Sequence, residues 1–238
     1  MIVSDGFLAK SDGACEASIL DCKLRGGSYV LDFQLTREDA FVITEGLAEA
    51  GIRSVEFGHG LGLDAGKIKG RAAETDEDYI RAACAAAAAG GVAKVGCFFI
   101  PGISEKRHMH SAREAGFDFI RLGIDVDDYQ KLEPFVNVAK SLGLEVWPNM
   151  IKNHTVSPSE FGVIAQNVEE MGVDIISIVD SAGGMTPNDV ASFTAESLSR
   201  KNIPVGFRGH NDLTLAIVPL RRCDSSIVAH IEIGGYCA

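Results

Sequence analysis

Short apolar runs alternate along this chain with longer amphipathic stretches. The first run, Ile19-Leu20, turns polar at Asp21, Lys23 and Arg25 and breaks on Gly26-Gly27. If 19–24 is a strand, its period of two places Asp21, Lys23 and Arg25 on one face, where buried charges are costly unless they serve a site. Thr36-Arg-Glu-Asp then caps a helix with acids in its first turn, and its apolar positions Phe41, Ile43, Leu47 and Ala48 run to Ala50. Gly51 ends that helix and 52–57 opens a strand. The same junction of helix end, glycine, apolar residue and strand returns at Gly91-Val92, Gly116-Phe117, Gly143-Leu144 and Gly172-Val173, with Asn202-Ile203 as a variant. Glycine supplies the positive φ past the helix end, and the next apolar side chain packs on the last turn.

The strands so introduced cover 94–100, 119–123, 145–147, 174–180 and 204–207, with helices over 75–89, 104–115, 127–142, 157–171 and 186–200. These strands are apolar on both faces, as in a covered parallel sheet. Alternation alone permits an α/β barrel or a doubly wound sheet. No GxGxxG follows the first strand, and polar residues gather at the C-terminal end of nearly every strand: Arg25, Glu56 and His59, Arg121, Asn149 and Lys152, Asp180 and Ser181, Arg208 and His210. A (β/α)8 TIM barrel builds its site there, so that fold is expected, with 1–17 as a lead-in segment and 18–238 as one domain. The C-terminal eighth unit reads as shortened or irregular: 213–222 leaves room for a short helix and 224–233 for a strand. Such a flank predicts a homo-oligomer or a partner subunit covering it.

Composition narrows the functional classes. The 238 residues are 46% hydrophobic and 23% charged, with a net charge of −11 and no basic block, which argues against nucleic acid as a partner. No apolar run is long enough to span a membrane, and residues 1–10 lack the features of a signal peptide, so a cytoplasmic protein is expected. The six cysteines show no zinc spacing, and Cys22, Cys84 and Cys97, which sit inside apolar segments, read as buried free thiols.

Four motifs in order carry a resemblance: Leu20-Asp-Cys-Lys-Leu-Arg-Gly-Gly-Ser-Tyr29, Val55-Glu-Phe-Gly-His-Gly60, Val179-Asp-Ser-Ala-Gly-Gly-Met185 and Gly206-Phe-Arg-Gly-His-Asn211. Over roughly 18–217 the chain resembles the metal-dependent pyruvate aldolases and lyases (the DRE-TIM metallolyases), a family that includes 4-hydroxy-2-oxovalerate aldolase and hydroxymethylglutaryl-CoA lyase. The first motif stands against the family's DxTLRDG, and the last against Gly-Phe-His-Gly-His-Asn/Asp. The resemblance implies that Arg25 polarises the oxo group and enolate of a 2-oxo acid. It also implies a divalent metal (Mn or Mg) held by the Asp after that Arg and by both histidines of the last motif. Here those positions are Gly26, Arg208 and His210, so only His210 matches a ligand, and Lys23 stands where the family usually has Thr. An anion is removed and cations are added, so no cofactor is expected and a metal is disfavoured.

The expected chemistry is an aldolase-type carbon–carbon lyase on a small-molecule 2-oxo acid. Arg25, Tyr29, His59 and His210 are the catalytic candidates. Lys23, Arg208, Arg121, Asn149, Lys152, Asp180, Ser181 and Glu56 are candidates for substrate binding. Tyr29 occupies a position where some relatives carry a His base, and Lys23 or Lys152 offers a Schiff base as a lesser route. Alternatives are a catalytically inactive aldolase-like binding or partner protein, or a metal-free isomerase, dehydratase or condensing enzyme. Glu56 reads equally as one half of a structural ion pair. His108 and His110 read as surface residues, and Trp147 and Phe99 as barrel filling.

Overall fold

The apolar runs pair side by side as eight parallel strands that close in sequence order into a barrel, in a computed structural model describing residues 18–68, 70–90, 94–200, 202–210 and 227–230. The strands are β1 (Ser18–Asp21), β2 (Ser54–Phe57), β3 (Lys94–Phe99), β4 (Phe119–Asp125), β5 (Glu145–Ile151), β6 (Ile176–Asp180), β7 (Val205–Gly209) and β8 (Ile227–His230). One helical turn, α1 (Lys23–Gly26), follows β1. The outer helices are α2 (Arg37–Glu49), α3 (Asp76–Gly90), α4 (Lys106–Ala115), α5 (Glu133–Ser141), α6 (Pro158–Glu170) and α7 (Pro187–Arg200). β8 pairs with both β7 and β1, Arg208 opposite His230 and Ile19 opposite Ala229, which closes the ring. The lead-in 1–17, the Gly91-Val92 junction and the short helix expected at 213–222 lie outside the described residues.

Strand alternation sorts the side chains into two layers. Val55, Val95, Cys97, Phe99, Ile120, Leu122, Val146, Ile176, Ile178 and Phe207 join the core beneath the helices. The alternate positions point into the barrel, where Leu20, Cys22, Phe119, Trp147 and Ile175 form a separate cluster. Trp147 fills the barrel as expected, whereas Phe99 belongs to the helix-facing core and Phe98 takes the inward place. The helix-ending glycines behave as the pattern requires: Gly51 has φ +84° and Gly116 +117°. Thr36 with Asp39, and Ser157 with Glu160, close reciprocal capping boxes.

Two expected elements change. β1 stops at Asp21, because the Asp21 carboxylate accepts the Lys23 backbone N–H at 2.9 Å and turns the chain into α1. Asp21, Lys23 and Arg25 therefore do not share a strand face: the Lys23 side chain is 54% exposed and that of Arg25 is 5% exposed. The expected helix over 127–142 runs first as a 3₁₀ segment, Val126–Leu132, and becomes α-helical only where Pro134 sits in the first turn of α5.

Gly96 shows how tightly the barrel interior is filled. A Cβ there would lie 2.3 Å from the Phe119 ring, which is itself stacked on Trp147 with centroids 4.0 Å apart. Gly96→Ala is expected to cost about 1–3 kcal/mol through overpacking. The loss should be read as a lower urea midpoint at unchanged slope.

Candidate functional site at the barrel mouth

Inward positions of β2, β4 and β5 carry Glu56, Arg121 and Asn149, and α1 swings Arg25 over them. The Arg25 Nε donates to Glu56 Oε1, and its Nη1 donates to the Gly60 carbonyl at 2.8 Å. Arg121 Nη1 donates to Glu56 Oε2 at 2.7 Å and to Cys22 Sγ at 3.3 Å, while Nη2 donates to Asn149 Oδ1. The Phe98 ring lies 4.8 Å from the Arg25 guanidinium and 5.6 Å from that of Arg121. Glu56, Arg121 and Asn149 are fully buried, and Arg25 nearly so.

A carboxylate this deep is pushed up by burial, but the Arg121, Arg25 and Arg208 guanidiniums outweigh that and hold Glu56 at about 2. Glu56 is therefore an anion at neutral pH. One anion set among three guanidiniums leaves this cluster net positive, so it favours an anionic ligand or a developing oxyanion.

A second group sits at the ends of β6 and β7. Both Asp180 carboxylate oxygens accept backbone N–H groups, from Gly184 and Met185, each at 3.1 Å, and so fix the Gly-rich turn. The Asp180 and Ser181 carbonyls lie 2.9 and 3.2 Å from His210 Nδ1. Carbonyls only accept, so Nδ1 carries the proton, and the buried Nε2 has no partner among the described residues. On the rim, Ser181 Oγ accepts the Lys152 backbone N–H at 3.0 Å, and the Lys152 ammonium pairs with Asp125 at 2.6 Å.

The expected site residues thus fall into distinct environments. Arg25, Glu56, Arg121 and Asn149 form one hydrogen-bonded chain, and Arg208 acts on its carboxylate. Lys23 lies outside it, exposed beside Asp21. The Asp180 carboxylate is spent on the turn. The hydrogen bond and charge of Asp125 raise Lys152 above its ordinary value, which disfavours the neutral amine a Schiff base needs. His59 is buried and stacked on Phe33 at 4.0 Å. Its Nε2 meets the Gly70 carbonyl at 3.1 Å and its Nδ1 accepts the Leu61 N–H at 3.3 Å, so both ring nitrogens serve the loop between β2 and α3. Tyr29 packs its ring against Gly60, where a Cβ would lie 2.2 Å away, and edge-on to Phe33 at 5.2 Å.

Sequence reasoning missed Cys22, Phe98 and the Gly60 carbonyl. Strand alternation from Gly96 could have placed Phe98 inward, but nothing in the sequence marks a carbonyl as an acceptor. His108, expected at the surface, instead stands 3.6 Å from Asp64 at the edge of a cavity of about 560 Å³ beneath the β2–α3 loop. That cavity lies beside the mouth, but the converging cations, and hence the chemistry, are in the barrel.

The donor set does not fit a divalent ion. Among the described residues no three His, Cys, Asp or Glu side chains converge as ligands. Gly26 offers no side chain, and Arg208 places a permanent cation where the resemblance puts a histidine ligand.

The HMGL-like family model matches residues 16–219. Over 202 residues the chain is 33% identical to the oxaloacetate decarboxylase of Mycobacterium tuberculosis, covering 85% of this chain and 59% of that protein. Over 200 residues it is 34% identical to the 4-hydroxy-2-oxovalerate aldolase of Geobacillus genomosp. 3, covering 84% and 58%. The chain thus spans under three-fifths of the length of these curated relatives. Among solved structures, the carboxyl transferase domain of Rhizobium etli pyruvate carboxylase, determined with pyruvate and biocytin, superposes with a TM-score of 0.72 at 13% identity, covering 90% of this chain and 40% of that one.

Proposed function

The chain belongs to the HMGL-like family, and from that premise we propose that it is an aldolase-type carbon–carbon lyase acting on a 2-oxo acid, with guanidinium groups in place of a divalent metal. The observation that carries this reading is the buried Arg25–Glu56–Arg121 cluster, with Arg208 acting on the same carboxylate. Breaking a bond to C3 of a 2-oxo acid leaves an electron pair that is accommodated as an enolate. Stabilising that oxyanion needs fixed positive charge in a water-poor site. Glu56 fixes Arg25 and Arg121 rigidly, and Asn149 restrains the second guanidinium by its Oδ1. Arg208 adds charge from the neighbouring side of the mouth. Planar guanidinium also suits the substrate carboxylate.

The test supplies oxaloacetate or 4-hydroxy-2-oxovalerate to purified protein, with and without EDTA, and follows pyruvate. Pyruvate release that survives the chelator is the expected result. Turnover that appears only on adding manganese would refute the metal-free part, and no release from either acid would refute the lyase.

One observation favours a second reading, binding without turnover: Arg25 Nε and Nη1, both His59 nitrogens and both Asp180 oxygens are engaged by the protein itself. Calorimetry with pyruvate separates the two. Binding in the absence of any turnover would select the second.

A further inference from the structure

Resting on the lyase reading, we propose that His210 is the general base of aldol cleavage, a role open to it because the ligand set around it has been dismantled. Among the described residues, three are candidates to move the proton. His59 has both ring nitrogens committed to backbone groups, Gly70 O and Leu61 N–H, and its ring is held against Phe33. Tyr29 packs closely against Gly60 and Phe33, and a phenol in general accepts a proton near neutral pH less readily than an imidazole does. His210 differs from both. Its Nδ1–H is fixed by the Asp180 and Ser181 carbonyls, so its tautomer is set, and the lone pair on the buried Nε2 has no partner among the described residues.

That arrangement, a carbonyl behind one nitrogen and an available lone pair at the other, orients either a metal ligand or a base. A metal ligand needs companions, and Gly26 and Arg208 do not supply them. Arg208, two residues earlier on β7, instead puts a cation on the same side of the mouth. A buried acceptor without a partner costs about 1–3 kcal/mol, and none of the described residues supplies one, so the geometry suits a donor from a bound ligand. The hydroxyl of a 4-hydroxy-2-oxo acid is such a donor.

The step balances within the substrate and this side chain. Nε2 takes the C4 hydroxyl proton, the C4–O bond becomes a carbonyl, and the C3–C4 bond breaks. Its electron pair forms the C2–C3 enolate, whose oxygen faces the guanidiniums. Nε2–H then returns the proton to C3, releasing pyruvate and an aldehyde and leaving neutral imidazole. Decarboxylation of oxaloacetate reaches the same enolate by loss of carbon dioxide, with no hydroxyl proton to remove. The base is thus required for one reaction and not for the formation of the enolate in the other.

The experiment measures both reactions in wild type, His210→Asn and His210→Gln, with pyruvate binding by calorimetry to confirm an intact site. Cleavage of 4-hydroxy-2-oxovalerate is expected to fall about 10²–10⁴-fold in kcat. Decarboxylation of oxaloacetate should fall by a clearly smaller factor, and added imidazole should restore part of the cleavage rate. Equal losses in both reactions, or no loss in cleavage, would overturn the assignment while leaving the lyase reading in place. Wild-type protein that decarboxylates oxaloacetate but cleaves no 4-hydroxy acid would also overturn it. Absence of both wild-type activities would overturn the lyase reading together with it.

Discussion

Replacing Glu56 with Gln is expected to destabilise the fold by about 3–5 kcal/mol, because it takes a buried carboxylate away from the buried guanidiniums it holds. Arg121 is the group most affected: it is fully buried, and its Nη1 donates to Glu56 Oε2 at 2.7 Å. For a chain of this length each kcal/mol shifts Tm by roughly 2–4 °C, so a fall of roughly 6–20 °C should be seen by calorimetry. The loss has a signature in pH. Glu56 is held at about 2 in the fold against an ordinary 4.5, so its folded value is depressed. A depressed carboxylate contributes stability that is fully present above its unfolded value and is lost as pH falls through its folded value. Wild-type stability should therefore decline between about pH 5 and pH 2, and part of that slope should be missing in the variant. Replacing Glu56 by Gln and Arg121 by Met together should recover stability relative to the single change, since the pair is then replaced on both sides rather than on one. A single variant with wild-type Tm and an unchanged acid slope would show that the cluster does not hold the barrel together.

How much of this was legible in the sequence depends on the range of the interaction involved. The glycine junctions at Gly51, Gly116, Gly143 and Gly172 are local, and each takes the positive φ that the pattern implies. The alternation of strand and helix, and the gathering of polar residues at strand ends, led to the barrel and to its mouth. The failures came where a side chain reached its own backbone or where partners were far apart in sequence. Asp21 captures the Lys23 N–H and ends β1 early, which moves Lys23 to solvent and Arg25 inward. His59 sits at a strand end like a site residue, yet Gly70 and Leu61 engage both its nitrogens. Asp180, a substrate-binding candidate at a strand end, has both carboxylate oxygens accepting from Gly184 and Met185, a local use its position did not announce. That Glu56 needed a cation partner could be stated in advance. That it would take Arg25 and Arg121 together, 31 and 65 residues away, required the closed sheet.

Restoring the missing ligands should convert the mouth into a metal site. The double substitution Gly26→Asp and Arg208→His adds a carboxylate and a second imidazole to His210, whose Nε2 already lacks a partner among the described residues. The backbone permits the first change: Gly26 has φ −65° and ψ −40°, an ordinary helical pair, and nothing lies within 4 Å of where its Cβ would stand. The second change removes a guanidinium that opposes the ion. At about 4 Å and an effective dielectric constant near 20, a dication and one guanidinium repel by about 8 kcal/mol before screening. Affinity for Mn²⁺ is accordingly expected to rise at least about 10²-fold over wild type, more than the loss of an outer-shell partner typically costs a metal site. Calorimetry or the loss of the free-ion resonance signal would measure it, reaching one ion per chain. Each single variant should fall between, since either leaves the ligand set one group short. If wild type binds manganese stoichiometrically and as tightly as the double variant, the charge reversal at this mouth has not displaced the metal, and the guanidinium cluster would have to act beside an ion rather than in its place.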